Sequence, residues 1–162
     1  MNKIHTISIL VQHKPGVLQR VSGLFTRRDF NIDSITVGAT NQKNMARITI
    51  TTKGNEEVLE QILNQLYQLR ETIKVRELNP ETTIRRELSL IKVKAPDEQT
   101  KSQIIQYVNI FRGNIVDITH KTIIVEITGT PQKIKALEKL IEPMGIKEIS
   151  KTGTPAMLKG EN

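Results

Sequence analysis

HKPGVLQRVSGLFTRRDFNIDSITVG, residues 13–38, decides the reading of this chain. It spells a turn, a helix and a strand. Pro15 fixes φ and suits the first turn of a helix, where its missing N–H costs nothing. Gly16 has no Cβ, so backbone or ligand can approach closely. The spacing predicts free amides at Gly16, Val17 and Leu18, pointing out of a helix N-terminus as a site for a carboxylate. Val17, Leu18, Val21, Leu24 and Phe25 recur at helical spacing as one apolar face. Asp29 can adopt the left-handed turn that stops the helix. Asn31 follows at the mouth of a strand, with an amide that both donates and accepts. A plainer alternative reads the same residues as a helix packed on a strand after a routine Pro-Gly turn.

Working outward, the strand-helix logic occurs twice. Ile7, Ile9 and Val11 alternate with polar neighbours, as in a half-buried strand. Ile32 to Val37 is the next strand, and a change of parity between Ile32 and Ile35 predicts a bulge. Asn41 to Asn44 reads as a hairpin loop, after which Ala46, Ile48 and Ile50 alternate against Arg47, Thr49 and Thr51. Asn55 can cap a helix whose face is Val58, Leu59, Ile62, Leu63, Leu66 and Leu69. Ile73 and Val75 close the round as a fourth strand, giving the order βαββαβ. A linker over 79–85 precedes a second round. Its strand Leu88 to Lys94 leads to a helix opened by Pro96 and Asp97, with Gly113 as its left-handed stop. Ile115 to Thr119, a turn at His120-Lys121, and Ile123 to Ile127 form a hairpin. Thr130 and Pro131 start the last helix, and Ile146 to Ile149 is the last short strand. The tail over 153–162 is expected to be loose. The domains are therefore 1–78 and 86–152. Both are of the α+β class, each a four-stranded antiparallel sheet with its helices on one face. The opposite face of the first sheet is polar, with Arg47, Thr49, Thr51, Lys74 and Arg76. The second domain lacks a Pro-Gly turn before its first helix and shows no clear ligand pocket.

Composition narrows the function. The chain has 162 residues and no Cys, so disulfides and thiolate metal sites are excluded and a reducing compartment is expected. No apolar run approaches the roughly 18 residues that span a membrane, and no signal-peptide pattern opens the chain. The expectation is a cytoplasmic protein with no membrane partner. A net charge of +7 raises nucleic acid as a partner. The expectation is none, because sheets that bind RNA stack bases on aromatics, and Ile4–Val11 and Ala46–Thr52 carry none. His5, His13 and His120 lie near no nucleophile motif and no metal-ligand cluster. His5 and His120 read as surface or strand-end residues. No catalytic residue, resident cofactor or metal is expected.

Pro15-Gly16-Val17-Leu18, Arg20-Val21, Gly23-Leu24-Phe25, Arg28, Asn31-Ile32, Ser34 and Thr36-Val37 resemble a motif of the ACT domain, a small module that binds amino acids. Arg47-Ile48-Thr49-Ile50, Val58 to Ile62 and Gln65-Leu66 continue the match. Phe111-Arg112-Gly113-Asn114-Ile115-Val116-Asp117 is similar to a second signature. Together, in order over nearly the whole chain, they resemble the regulatory subunit of acetohydroxyacid (acetolactate) synthase. That resemblance implies two ferredoxin-like βαββαβ domains, the first an ACT domain. It implies a homodimer with the effector between two copies. It further implies activation of a separate catalytic large subunit that uses thiamine diphosphate, Mg2+ and FAD, and feedback inhibition by valine or another branched-chain amino acid. The implied effector residues are His13, Gly16, Val17, Leu18, Asn31 and Ile32. His13 departs from the Asn or Asp common in the family at that position, and a ring nitrogen can keep its role. Two alternatives stand beside this reading: a free-standing ACT-type sensor of another enzyme, and a ferredoxin-like RNA-binding protein.

Overall fold

In the computed structural model, residues 3–160 are described. The first unit contains β1 (Lys3–Gln12), α1 (Val17–Arg27), β2 (Ile32–Ala39), β3 (Met45–Gly54), α2 (Glu56–Gln68) and β4 (Thr72–Glu77). A short β5 (Thr83–Arg85) follows. The second unit contains β6 (Glu87–Lys94), α3 (Glu98–Ile110), β7 (Asn114–Ile118), β8 (Thr122–Gly129), α4 (Pro131–Ile141), a 3-10 turn and β9 (Ile146–Lys151). The chain closes with β10 (Ala156–Leu158).

Each unit holds one four-stranded antiparallel sheet, ordered β2-β3-β1-β4 in the first and β7-β8-β6-β9 in the second. Alternation selects the buried face. Ile7, Ile9 and Val11 of β1 and Ile48 and Ile50 of β3 meet Val21 and Phe25 of α1 and Ile62 and Leu66 of α2. Ile91, Val93, Ile123 and Val125 meet Ile104, Val108, Ile134 and Leu137 in the second core. Branched aliphatics do nearly all the filling, which suits a pleated surface under helices. Three of the four helices begin on the side-chain cap that the local sequence offers. Asn55 accepts from the Glu57 amide, Asp97 from Thr100 and Thr130 from Lys133. The bulge expected in β2 lies between Ile32 and Ser34, where the pairing with β3 slips by one residue.

Four local expectations are corrected. The left-handed residue after α3 is Arg112, at φ 56°, not Gly113. Gly113 is needed for space instead: a Cβ there would sit 2.9 Å from the Glu126 carbonyl oxygen. Leu18 leaves the apolar face of α1 and is 45% exposed, because it lies beside rather than above the Val17–Val21 stripe. Of the expected loose tail, the described part, residues 153–160, is tied down, since β10 pairs with β5 from the expected linker; residues 161 and 162 lie outside the described residues. The Lys159 amide donates to the Thr82 carbonyl at 2.9 Å, so backbone hydrogen bonds hold both short segments. His5 is no surface residue: it is 1% exposed, with Nδ1 2.7 Å from Glu77 Oε1 and Nε2 3.2 Å from the Gly54 carbonyl oxygen. It shares parity with Ile7 and Ile9, so its side chain enters the helix-covered face. His120 is exposed, as expected.

Candidate effector site

The turn between β1 and α1 is built on Gly16. Its φ of 82° is left-handed, and it stands as the N-cap of α1 without a side chain to close the helix end. Pro15 therefore precedes the helix, which begins at Val17. The Val17 amide makes a long 3.4 Å bond to the Lys14 carbonyl, while among the described residues the amides of Gly16 and Leu18 have no backbone partner. Val17 is buried and pins the turn to the core; Gly16 and Leu18 are exposed. The helix end thus presents unpaired donors and the positive end of its dipole to solvent, the arrangement that favours an anion. His13 is exposed beside the turn, and its backbone amide donates to the Asn44 carbonyl at 2.8 Å.

Arg20 adds a cation that sequence reasoning missed. A Cβ placed on Gly16 would be 3.2 Å from Arg20 Nη1, so the guanidinium lies back over the turn. Its Nη2 donates to Glu71 Oε1 at 2.6 Å. The remaining N–H groups can reach a second carboxylate. The signal was available: residue 20 is four beyond the cap, one helical turn above it on the same face.

Asn31 and Ile32 are placed by β2 and by two supports from β3. Thr52 Oγ1 donates to the Asn31 carbonyl at 2.6 Å. The Phe30 ring occupies the space that a Cβ on Gly54 would need, which fixes the approach of the chain into β2. The Asn31 side chain is exposed, with Nδ2 3.4 Å from Asp33 Oδ1, and Ile32 packs at the edge of the core.

The register separates these two halves. Ile32 pairs with Thr52, which pairs with His5, whereas the Gly16 turn follows Gln12, which pairs with Met45. The seven residue-to-residue steps from His5 to Gln12 span about 23 Å of strand. A single protomer therefore does not bring Asn31 and Ile32 to Gly16, Val17 and Leu18. The far end of β2 does lie near the turn, because Ala39 pairs with Ala46, and Ala46 with Val11.

Known proteins share this architecture and its sequence. Residues 7–74 match a family model described as the AHAS small subunit-like ACT domain, and residues 86–160 match that for the small subunit of acetolactate synthase. A probable acetolactate synthase small subunit of Methanothermobacter thermautotrophicus is 54% identical over 156 residues, 96% of this chain and 93% of the relative. The acetolactate synthase small subunit of Mycolicibacterium smegmatis is 49% identical over 96% of this chain and 91% of its own. The crystal structure of the small subunit from Thermotoga maritima superposes with a TM-score of 0.87 at 41% identity, covering 99% of both chains.

Proposed function

This chain belongs to the family of acetolactate synthase small subunits, and from that premise we propose that it is the non-catalytic regulatory subunit through which a branched-chain amino acid controls acetolactate synthesis. A small subunit implies a large catalytic one as partner. In this reading that partner supplies the chemistry, with thiamine diphosphate, Mg2+ and FAD, and this chain raises its turnover. Valine is the first candidate effector, and it lowers the rate of the complex as feedback in branched-chain amino-acid biosynthesis.

The observation that carries the reading is the separation of the two half-sites on one protomer. β2 is an edge strand of its sheet, so its outer backbone groups are available to another strand. Antiparallel pairing of β2 with β2 of a second copy, across a two-fold axis, sets the start of one strand beside the end of the other. Asn31 and Ile32 of one copy then approach the Gly16 turn of its partner, and symmetry makes two such sites. The effector carboxylate meets the amides of Gly16, Val17 and Leu18 and the Arg20 guanidinium. The Asn31 amide and the Ile32 backbone close the pocket, His13 flanks it, and apolar side chains at the edge of the core take the branched carbons.

Mixing two damaged variants tests this. Gly16→Asp and Asn31→Ala homodimers should each fail to bind valine. Random re-pairing makes half of the dimers hybrid, and each hybrid carries one intact site, so about a quarter of the wild-type binding capacity returns. No recovery from a mixture shown by mass to contain hybrids would place both halves of any site on the same chain, or elsewhere.

A further inference from the structure

On the side of the first sheet that faces away from α1 and α2, the register gathers positive charge. Ser8 lies between Thr49 and Arg76, and Leu10 lies between Arg47 and Lys74. Residues two apart on a strand share a face, so the backbones of Arg47, Lys74 and Arg76 place all three on one side of the sheet, about 7–12 Å from one another. β10 borders them. Ala156, Met157 and Leu158, together with Leu78, line one cleft of about 180 Å3 with Ser8 and the three cations. Ser8, Leu78 and Ala156 are buried at its floor. Arg47 Nη1 donates to Ser8 Oγ at 2.7 Å, which holds that guanidinium over the sheet.

No acidic residue lines the cleft. Among the described residues, none of the three cations forms an ion pair, whereas Arg20 pairs with Glu71 and Lys151 with both Glu87 and Glu138. Cross-strand neighbours of opposite charge are the usual way to settle such residues. Here the fold keeps three like charges together and walls them with apolar side chains.

We propose that this cleft binds a small polyvalent oxyanion with an apolar portion, either a phosphate ester or a di- or tricarboxylate, at a site distinct from the effector pocket. Two guanidinium forks and an ammonium match the oxygens of such an anion, and the Ser8 hydroxyl adds a further polar contact. Leu78 and Leu158 take its carbon skeleton. A free amino acid does not fit, because its ammonium would meet three cations and no carboxylate. A nucleic-acid strand does not fit either, because the cleft offers no aromatic platform for a base.

The test is calorimetric titration of the full-length chain with inorganic pyrophosphate, with citrate and with valine, in about 0.1 M salt to screen diffuse attraction. Pyrophosphate or citrate should bind once per chain, and the tighter of the two identifies the phosphate or the carboxylate class. Arg76→Gln and Lys74→Gln should each weaken that binding about tenfold or more, as loss of a charge-assisted hydrogen bond does. Lys74→Arg should retain it. Lys135→Gln, on the exposed side of α4, should leave it unchanged, and valine affinity should be the same in every variant. Far-UV circular dichroism checks the fold. The proposal is overturned if neither anion binds, or if Lys135→Gln weakens binding as much as Arg76→Gln. It is also overturned if the Arg47/Lys74/Arg76 triple Gln variant keeps anion affinity but loses activation of the catalytic subunit, since the cleft would then be a protein contact. Failure of valine binding in the wild type would count against the effector pocket and not against this cleft.

Discussion

Gly16→Asp should cost the fold little and the effector site most of its affinity. A residue with a Cβ in the left-handed region costs roughly 1–2 kcal/mol, with Asp among the better tolerated. Gly16 holds φ 82°, and the nearest atom to a new Cβ is Arg20 Nη1 at 3.2 Å, the tip of a flexible side chain that can swing aside. A stability loss of about 1 kcal/mol follows, equivalent to a fall in Tm of about 4–8 °C for a unit of this size. The electrostatic effect is larger. A new carboxylate about 4 Å from the ligand's own raises the binding free energy by about 1 kcal/mol in bulk water and about 4 kcal/mol at an effective dielectric of 20. A pocket closed between two subunits falls toward the second figure, so valine affinity should drop by about a hundredfold or more. The same carboxylate also draws the Arg20 guanidinium away from the ligand. Isothermal titration with valine, thermal unfolding and activation of the catalytic subunit are measured on one preparation. A folded variant that binds valine within about twofold of the wild type would refute the placement of the pocket. Loss of activation along with binding would show the turn to be structural.

Other substitutions probe the frame around that site. Gly54→Ala should displace the Phe30 ring and, with it, the approach to Asn31; overpacking of this kind costs about 1–3 kcal/mol, and valine affinity should fall together with Tm. Ile62→Ala removes a fully buried side chain from the first core, so denaturant unfolding should show a loss of about 2–5 kcal/mol without a change in effector specificity. Asp97 caps α3, and hydrogen bonds from the Thr100 amide hold its carboxyl below the usual carboxylate range. A depressed pKa means stability that is present above the unfolded-state value and lost as pH falls through the folded-state value. Asp97→Ala should therefore lower Tm at neutral pH, and the gap to the wild type should close in acid.

Much of the fold is legible in the residues because local and global preferences agree. The alternation of Ile7, Ile9 and Val11 and of Ala46, Ile48 and Ile50 sets two strands and their inward face. Asn55, Asp97 and Thr130 mark helix starts by the chemistry of a side-chain oxygen on a free amide. Even the irregularity in β2 announces itself in the parity change after Ile32. Other features depend on partners distant in sequence. Thr83–Arg85 and Ala156–Leu158 are too short to show a period, and only their mutual pairing makes them strands. The burial of His5 depends on Glu77 and the Gly54 carbonyl, both far along the chain. Its parity with Ile7 was the available sign, outweighed by the expectation that an isolated histidine lies outside. The candidate site divides in the same way. The Gly16 turn can be read from Pro15-Gly16 and the apolar stripe behind it. The distance to Asn31 cannot, because it follows from strand order and register, and the proposed site therefore draws on a second copy.

The most direct test of the central claim is reconstitution. The purified chain is titrated into the catalytic large subunit from the same organism, and acetolactate formation from pyruvate is followed with and without valine. The chain alone should form no acetolactate. Added to its partner, it should raise the rate to a plateau, and valine should then lower it, with coupling of about 1–3 kcal/mol, or roughly 5- to 150-fold in the affinity of one site as the other fills. A catalytic rate unchanged over the full titration, or acetolactate made by this chain alone, would contradict the account.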